Sequence, residues 1–211
     1  MQLIIFDCDG TLVDSERLCN LALERQLAEV GLNYSADYLI DHYRGVKFTE
    51  ILTSIQSESQ LTFPDSFETQ YRLKVSDLFD QQLTANDGVA EVLESLTLPF
   101  CIASSAPRAK IEHALNVTGL MKYFDNTIFS AHEVGAWKPD PDLFLHAAKT
   151  MGVEPEACCV VEDSLVGLQA THRAGMTSVY YAPHQEDIEV FGSVHIQHMS
   201  QLLKVINMSN E

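Results

Sequence analysis

Five short apolar runs constrain what this chain can fold into: Leu3-Ile4-Ile5-Phe6, Phe100-Cys101-Ile102-Ala103, Thr127-Ile128-Phe129, Cys158-Cys159-Val160-Val161 and Thr177-Ser178-Val179-Tyr180-Tyr181. None alternates with polar residues, which is how strands covered on both faces read. Helical stretches lie between them. One opens at Pro107 and stops near Gly119, another runs from near Pro141 to Gly152, and a third starts at the capping-type Ser164 and ends at Gly175. Strand–helix alternation of this kind predicts an α/β fold, a parallel sheet with helices on both faces.

Residues 15–85 break the rhythm. They carry helical patterning (Leu18, Leu21 and Ala22, later Phe67, Tyr71 and Leu78) and no convincing strand, and "SIQSESQLTFPDS" reads as a polar connection between helices. The expected organisation is a core begun by residues 1–14, a helical insertion over 15–85, and a core resumed by 86–211. Asp14-Ser15 and Asn86-Asp87-Gly88 would be the hinges, with a helix near Val89–Leu96 following.

Charge and cysteine usage narrow the function classes. The formal charge of −17 over 211 residues argues against nucleic acid or an anionic membrane as the main partner. No apolar run approaches the ~20 residues that span a bilayer, and no basic leader precedes Asp7. The five cysteines lack disulfide-framework or zinc spacing, and four lie in or beside apolar runs. They read as small buried hydrophobes in a reduced, cytoplasmic protein.

Polar residues crowd directly after the predicted strands. Asp7-Cys8-Asp9-Gly10-Thr11 follows the first, Ser104-Ser105 the second, and Glu162-Asp163-Ser164 the Cys158 strand; Lys138 sits in "WKPDP" beyond the Ile128 run. Open parallel sheets bind ligands beyond the carboxyl ends of their strands, so these pieces are expected at one edge. Singly, each has a plain reading. Glu162-Asp163 would suit a helix N-terminus, Ser104 a cap, and Lys138 a solvated surface. Asp7-Cys8-Asp9-Gly10 also begins a calcium loop, but its twelfth position is Leu18, where a bidentate Glu is needed.

Together, "DCDGT", the serine after a strand, the lysine before Pro-Asp-Pro and the Glu-Asp pair resemble the four motifs of the haloacid dehalogenase superfamily, in order and over nearly the whole chain. The resemblance implies a Rossmann-like parallel sheet core with an inserted α-helical cap, in the β-phosphoglucomutase-like phosphatase branch. It implies Asp7 as nucleophile and Mg²⁺ ligand, and Asp9 as acid and base with its carbonyl on the metal. Asp163 would be a further ligand, with Glu162 as ligand or just behind one. Ser104 and Lys138 would hold phosphoryl oxygens, with Ser105 adjoining. A carboxylate approaching a phosphate dianion meets repulsion of roughly 8 kcal/mol at 4 Å and an effective dielectric of 20, so a metal and an ammonium are needed.

Competing functions remain. A hexose-phosphate mutase shares the fold, but relatives of that kind carry a cap histidine where Cys19 stands and a cap arginine after a Gly-Val pair, where Lys47 follows Gly45-Val46. A regulatory protein that keeps the fold without turnover is argued against by the intact Asp7, Asp9, Ser104, Lys138 and Asp163. The wider pattern, including "RGVKFTEI", is similar to family members that hydrolyse 6-phosphogluconate. Arg44 and Lys47 read plainly as solvated helix charges; under the resemblance, at least one of these two cap cations is expected to meet the substrate's carboxylate. The expected partner is a small phosphorylated metabolite, and the expected state a monomer.

Overall fold

The structure, a computed structural model, describes residues 1–124, 126–183 and 190–208. Two compact units emerge, Met1–Asp14 with Thr84–Glu211, and Ser15–Leu83. Among the described residues, no helix is long and apolar enough to cross a membrane.

The first unit is built on an all-parallel six-stranded sheet: β1 (Leu3–Phe6), β2 (Phe100–Ser104), β3 (Ile128–Ser130), β4 (Cys158–Glu162), β5 (Thr177–Tyr181) and β6 (Val194–Ile196). The order is β3-β2-β1-β4-β5-β6. From β1 the chain winds outward through β2 and β3, then returns to the other side of β1 to lay down β4. The reversal sits between β1 and β4, the switch point at which such sheets leave a crevice beyond their carboxyl ends.

Burial explains why the strands lack alternation. All four residues of β1 are fully covered. One sheet face gathers Leu3, Ile5, Cys101, Ala103 and Val160 against Leu143, Phe144, Ala147 and Ala148 of a helix over Asp142–Met151. Cys8, Cys101, Cys158 and Cys159 are buried and free, as small hydrophobes. Burial pushes the Cys159 thiol up to about 12, so it stays neutral. The sequence reading did not anticipate β6. It is an edge strand of three residues with a polar centre, His195, and a half-exposed Val194.

The second unit is helical, with α1 (Glu16–Ala28), α2 (Ala36–Tyr43), α3 (Phe48–Ser59) and α4 (Phe67–Gln82). Its own core joins Leu23, Leu27, Leu39, Ile51, Ile55 and Phe67, and Phe48 stacks on Tyr71 with centroids 4.4 Å apart. Ser35 caps α2 by accepting the Tyr38 N–H at 3.2 Å.

Within the first unit, the segment that follows β1 pairs with the segment beginning at Thr84. Asp14 N donates to Thr84 O at 3.0 Å, Val13 bridges Ala85, and Asn86 N donates to Leu12 O at 3.0 Å. The segment after β1 is thereby tied to the segment that re-enters the core and leads into α5 (Val89–Ser95).

Candidate active site

The register of β1 against β4 pairs Phe6 with Val161, and the Asp7 N–H extends that ladder by donating to Val161 O at 3.0 Å. The Asp7 carboxylate is thereby fixed at the switch point, beside Glu162 at the end of β4. Lys138 comes from the segment between α7 (Ala131–Val134) and α8 (Asp142–Met151). Its ammonium donates to Asp7 Oδ1 at 2.7 Å and to Glu162 Oε1 at 2.5 Å. The lysine side chain is only 4% exposed and its Nζ lies 5.0 Å from the Phe144 ring centroid.

Glu162 is gripped from both sides. Its second oxygen accepts from Ser164 N at 2.7 Å and Ser164 Oγ at 2.8 Å. Ser164 in turn caps α9 (Leu165–Arg173) by accepting the Gly167 N–H. A Cβ at Gly167 would overlap the Glu162 carboxylate, so the helix needs glycine there for Glu162 to lie against it. Elsewhere in a helix, Gly→Ala stabilises by roughly 0.5–1 kcal/mol. Here Gly167→Ala is expected to lower the melting temperature, because the displaced carboxylate is the second anchor of a buried ammonium. A raised melting temperature would show that Glu162 moves aside at no cost.

Burial raises the Asp7 carboxyl to about 7 even though Lys138 opposes the shift, with Glu162 and Asp9 pushing it further up. For Lys138, burial works against the charged form, but Asp7 and Glu162 outweigh it and hold the ammonium charged. One ammonium faces a group of three carboxylates, since oxygens of Asp7, Glu162 and Asp163 all lie within 4.8 Å of one another. The cluster has an excess of negative charge and an all-oxygen donor set, which fits a hard divalent cation.

The loop between Asp7 and Val13 is tightly built. Leu12 N and Val13 N both donate to Cys8 O, and Gly10 N to Val13 O. Gly10 takes φ +78°, and a Cβ there would run into the Asp163 carboxylate. Thr11 Oγ1 donates to Asp163 Oδ1 at 3.2 Å. Asn86 Nδ2 donates to the carbonyls of Gly10 at 2.8 Å and Thr11 at 2.9 Å, and Lys110 Nζ donates to Asp9 Oδ2 at 2.8 Å.

The structure thus brings Asp7, Lys138, Glu162 and Asp163 into one cluster and places Asp9 beside it on the same loop. Ser104, at the end of β2, is buried and accepts the Ala106 N–H at 3.2 Å. Ser105 is exposed. Arg44 and Lys47 belong to the helical unit. There the Arg44 guanidinium engages both carboxylate oxygens of Glu16, and Lys47 precedes the first residue of α3. Sequence reasoning missed Lys110, Asn86 as a loop clamp, and Gly167. The signal for Lys110 is a cation in the first turn of α6 (Arg108–Val117), where the helix dipole disfavours one.

Residues 4–181 match the family model described as haloacid dehalogenase-like hydrolase. The chain is 36% identical over 205 residues to the 6-phosphogluconate phosphatase of Escherichia coli K12, covering 96% of this chain and 93% of that one. It is 31% identical over 188 residues to the phosphorylated carbohydrates phosphatase of Thermotoga maritima, covering 87% and 86%. A crystal structure of a conserved haloacid dehalogenase-like protein of unknown function from Agrobacterium tumefaciens superposes with a TM-score of 0.84 at 31% identity, over 100% of both chains.

Proposed function

The chain belongs to the haloacid dehalogenase-like hydrolases and is a phosphatase, and we propose that it hydrolyses a phosphorylated sugar acid, 6-phosphogluconate, through an aspartyl-phosphate on Asp7 with Mg²⁺ as cofactor. One observation carries the mechanism. A buried carboxylate at the switch point shares a buried ammonium with Glu162, and a third carboxylate stands within reach of the same position.

Asp7, Asp163 and the backbone carbonyl of Asp9 would hold the metal. When bound, Mg²⁺ offsets the charge on the phosphoryl oxygens and on Asp7. Glu162 spends its oxygens on Lys138 and Ser164, so its part is to hold the lysine. An Asp7 oxygen bonds to phosphorus as the ester P–O bond breaks, and Asp9 gives its proton to the departing oxygen. Water then attacks the aspartyl-phosphate. Asp9 takes the water's proton, the bond from Asp7 to phosphorus breaks, and inorganic phosphate leaves. Lys138 stabilises the charge that gathers on the transferring group, and Ser104 donates to a phosphoryl oxygen.

Chemistry and similarity both favour a sugar acid phosphate as the substrate. A sugar acid phosphate has a dianion at one end and a carboxylate at the other. A hydrogen-bonded ion pair to that carboxylate contributes roughly 1.5–3 kcal/mol, or about ten- to a hundredfold. The expected result is a higher kcat/KM for 6-phosphogluconate than for glucose 6-phosphate, with the preference reduced in Lys47→Ala or Arg44→Ala. Hydrolysis is expected to stop with EDTA and return with Mg²⁺. Equal kcat/KM for the two sugars, unchanged by both substitutions, would remove the substrate assignment. EDTA-resistant turnover would remove the metal.

A further inference from the structure

Two cations occupy the first turn of α6, Arg108 and Lys110, and no acidic residue accompanies them there. The positive end of a helix dipole disfavours cations, so each needs a reason from outside the helix. Arg108 has a structural one. It binds both oxygens of Glu133 at 2.5 and 2.7 Å and the Ile128 carbonyl at 2.7 Å, tying α6 to β3 and α7. Lys110 points elsewhere. Its ammonium meets Asp9 across 101 residues of sequence at 2.8 Å, and both side chains are largely withdrawn from water.

We propose that Lys110 is a positioning residue for proton transfer, holding the Asp9 carboxylate in the rotamer from which it serves the leaving oxygen and then the attacking water. The inference rests on the reading of Asp9 as general acid and base. The two lysines divide the labour. Lys138 is committed to Asp7 and Glu162, and Lys110 engages the aspartate two residues on, Asp9. A charged hydrogen bond at one carboxylate oxygen arrests rotation about the Cβ–Cγ bond, so the transferable proton keeps one direction. Lys110 keeps its own protons in both half-reactions.

A leaving-group comparison tests this. p-Nitrophenolate departs as a stable anion and needs no proton, whereas a simple alkyl phosphate must be protonated as its P–O bond breaks. In the metal-loaded enzyme, Lys110→Met is expected to lower kcat/KM for the alkyl ester roughly 10- to 100-fold, the equivalent of one hydrogen bond to a charged group. The effect on p-nitrophenyl phosphate should be much smaller, and Lys110→Arg should recover part of the loss. In an Asp9→Asn background, Lys110→Met is expected to add nothing further. Lys110→Gln takes the place of the methionine variant if that one does not fold. Equal losses on both esters, or a loss that persists in the Asp9→Asn background, would overturn the positioning role, as would wild-type rates. If Asp9→Asn alone hydrolyses the alkyl ester at the wild-type rate, the reading of Asp9 itself fails and the role of Lys110 falls with it.

Discussion

Asp7→Asn is expected to abolish steady-state phosphate release and leave the fold intact. The amide is nearly isosteric with the carboxylate but has no oxygen able to attack phosphorus. In enzymes that work through a covalent intermediate, loss of the nucleophile can cost about 10⁶ in kcat. Stability should move the other way. Burial holds the Asp7 carboxyl up at about 7, which means that its charged form is disfavoured in the folded chain. Removing that charge is expected to hold or raise the melting temperature, and Glu162 still pairs with Lys138. Thermal melts beside phosphate-release assays check both halves. An Asp7→Asn protein that turns over at more than trace rates would end the covalent reading.

Lys138→Met is expected to damage both stability and rate. The ammonium is buried between Asp7 and Glu162, and its loss leaves two carboxylates facing each other without water. Breaking a buried ion pair by removing one partner typically costs about 3–5 kcal/mol. In a chain of this size that is a fall of roughly 6–20 °C at about 2–4 °C per kcal/mol. The rate should fall by roughly 10²–10³, as when one charge-stabilising donor is removed from an active site. Lys138→Arg should restore little, because a planar fork does not fit where a compact ammonium bridges two carboxylates. Saturating Mg²⁺ is not expected to rescue either variant. A normal melting temperature with full activity in excess metal would show that Lys138 is dispensable.

The strands of the core were legible because burial on both faces writes the same run of apolar residues wherever it occurs, as in Leu3–Phe6 and Cys158–Val161. β6 was not, because an edge strand of three residues has neither the length nor the apolar density to stand out. The site was legible in part for a topological reason. Asp7 directly follows β1, Glu162 ends β4 with Asp163 next to it, and the parallel register carries them to one edge. Lys138 was legible through its Pro-Asp-Pro context. Lys110 and Asn86 were not, because their partners lie 101 and 75–76 residues away and no local pattern records the contact. Gly167 was hidden for a different reason. A lone glycine in a helix shows its purpose only when the carboxylate that would collide with a Cβ is seen beside it.

Passage of the phosphoryl group through Asp7 is the step on which the proposed reaction turns. Its most direct test is acid-quench mass spectrometry of the Asp9→Asn enzyme, mixed with Mg²⁺ and p-nitrophenyl phosphate. That substrate phosphorylates the enzyme without a general acid, and the missing base slows the return to water. The expected product is a peptide heavier by one phosphoryl group, hydroxylamine-labile, with the modification on Asp7 and absent from Asp7→Asn. A phosphoryl group on any other residue, or p-nitrophenol released with no phosphorylated enzyme at any time, would contradict it.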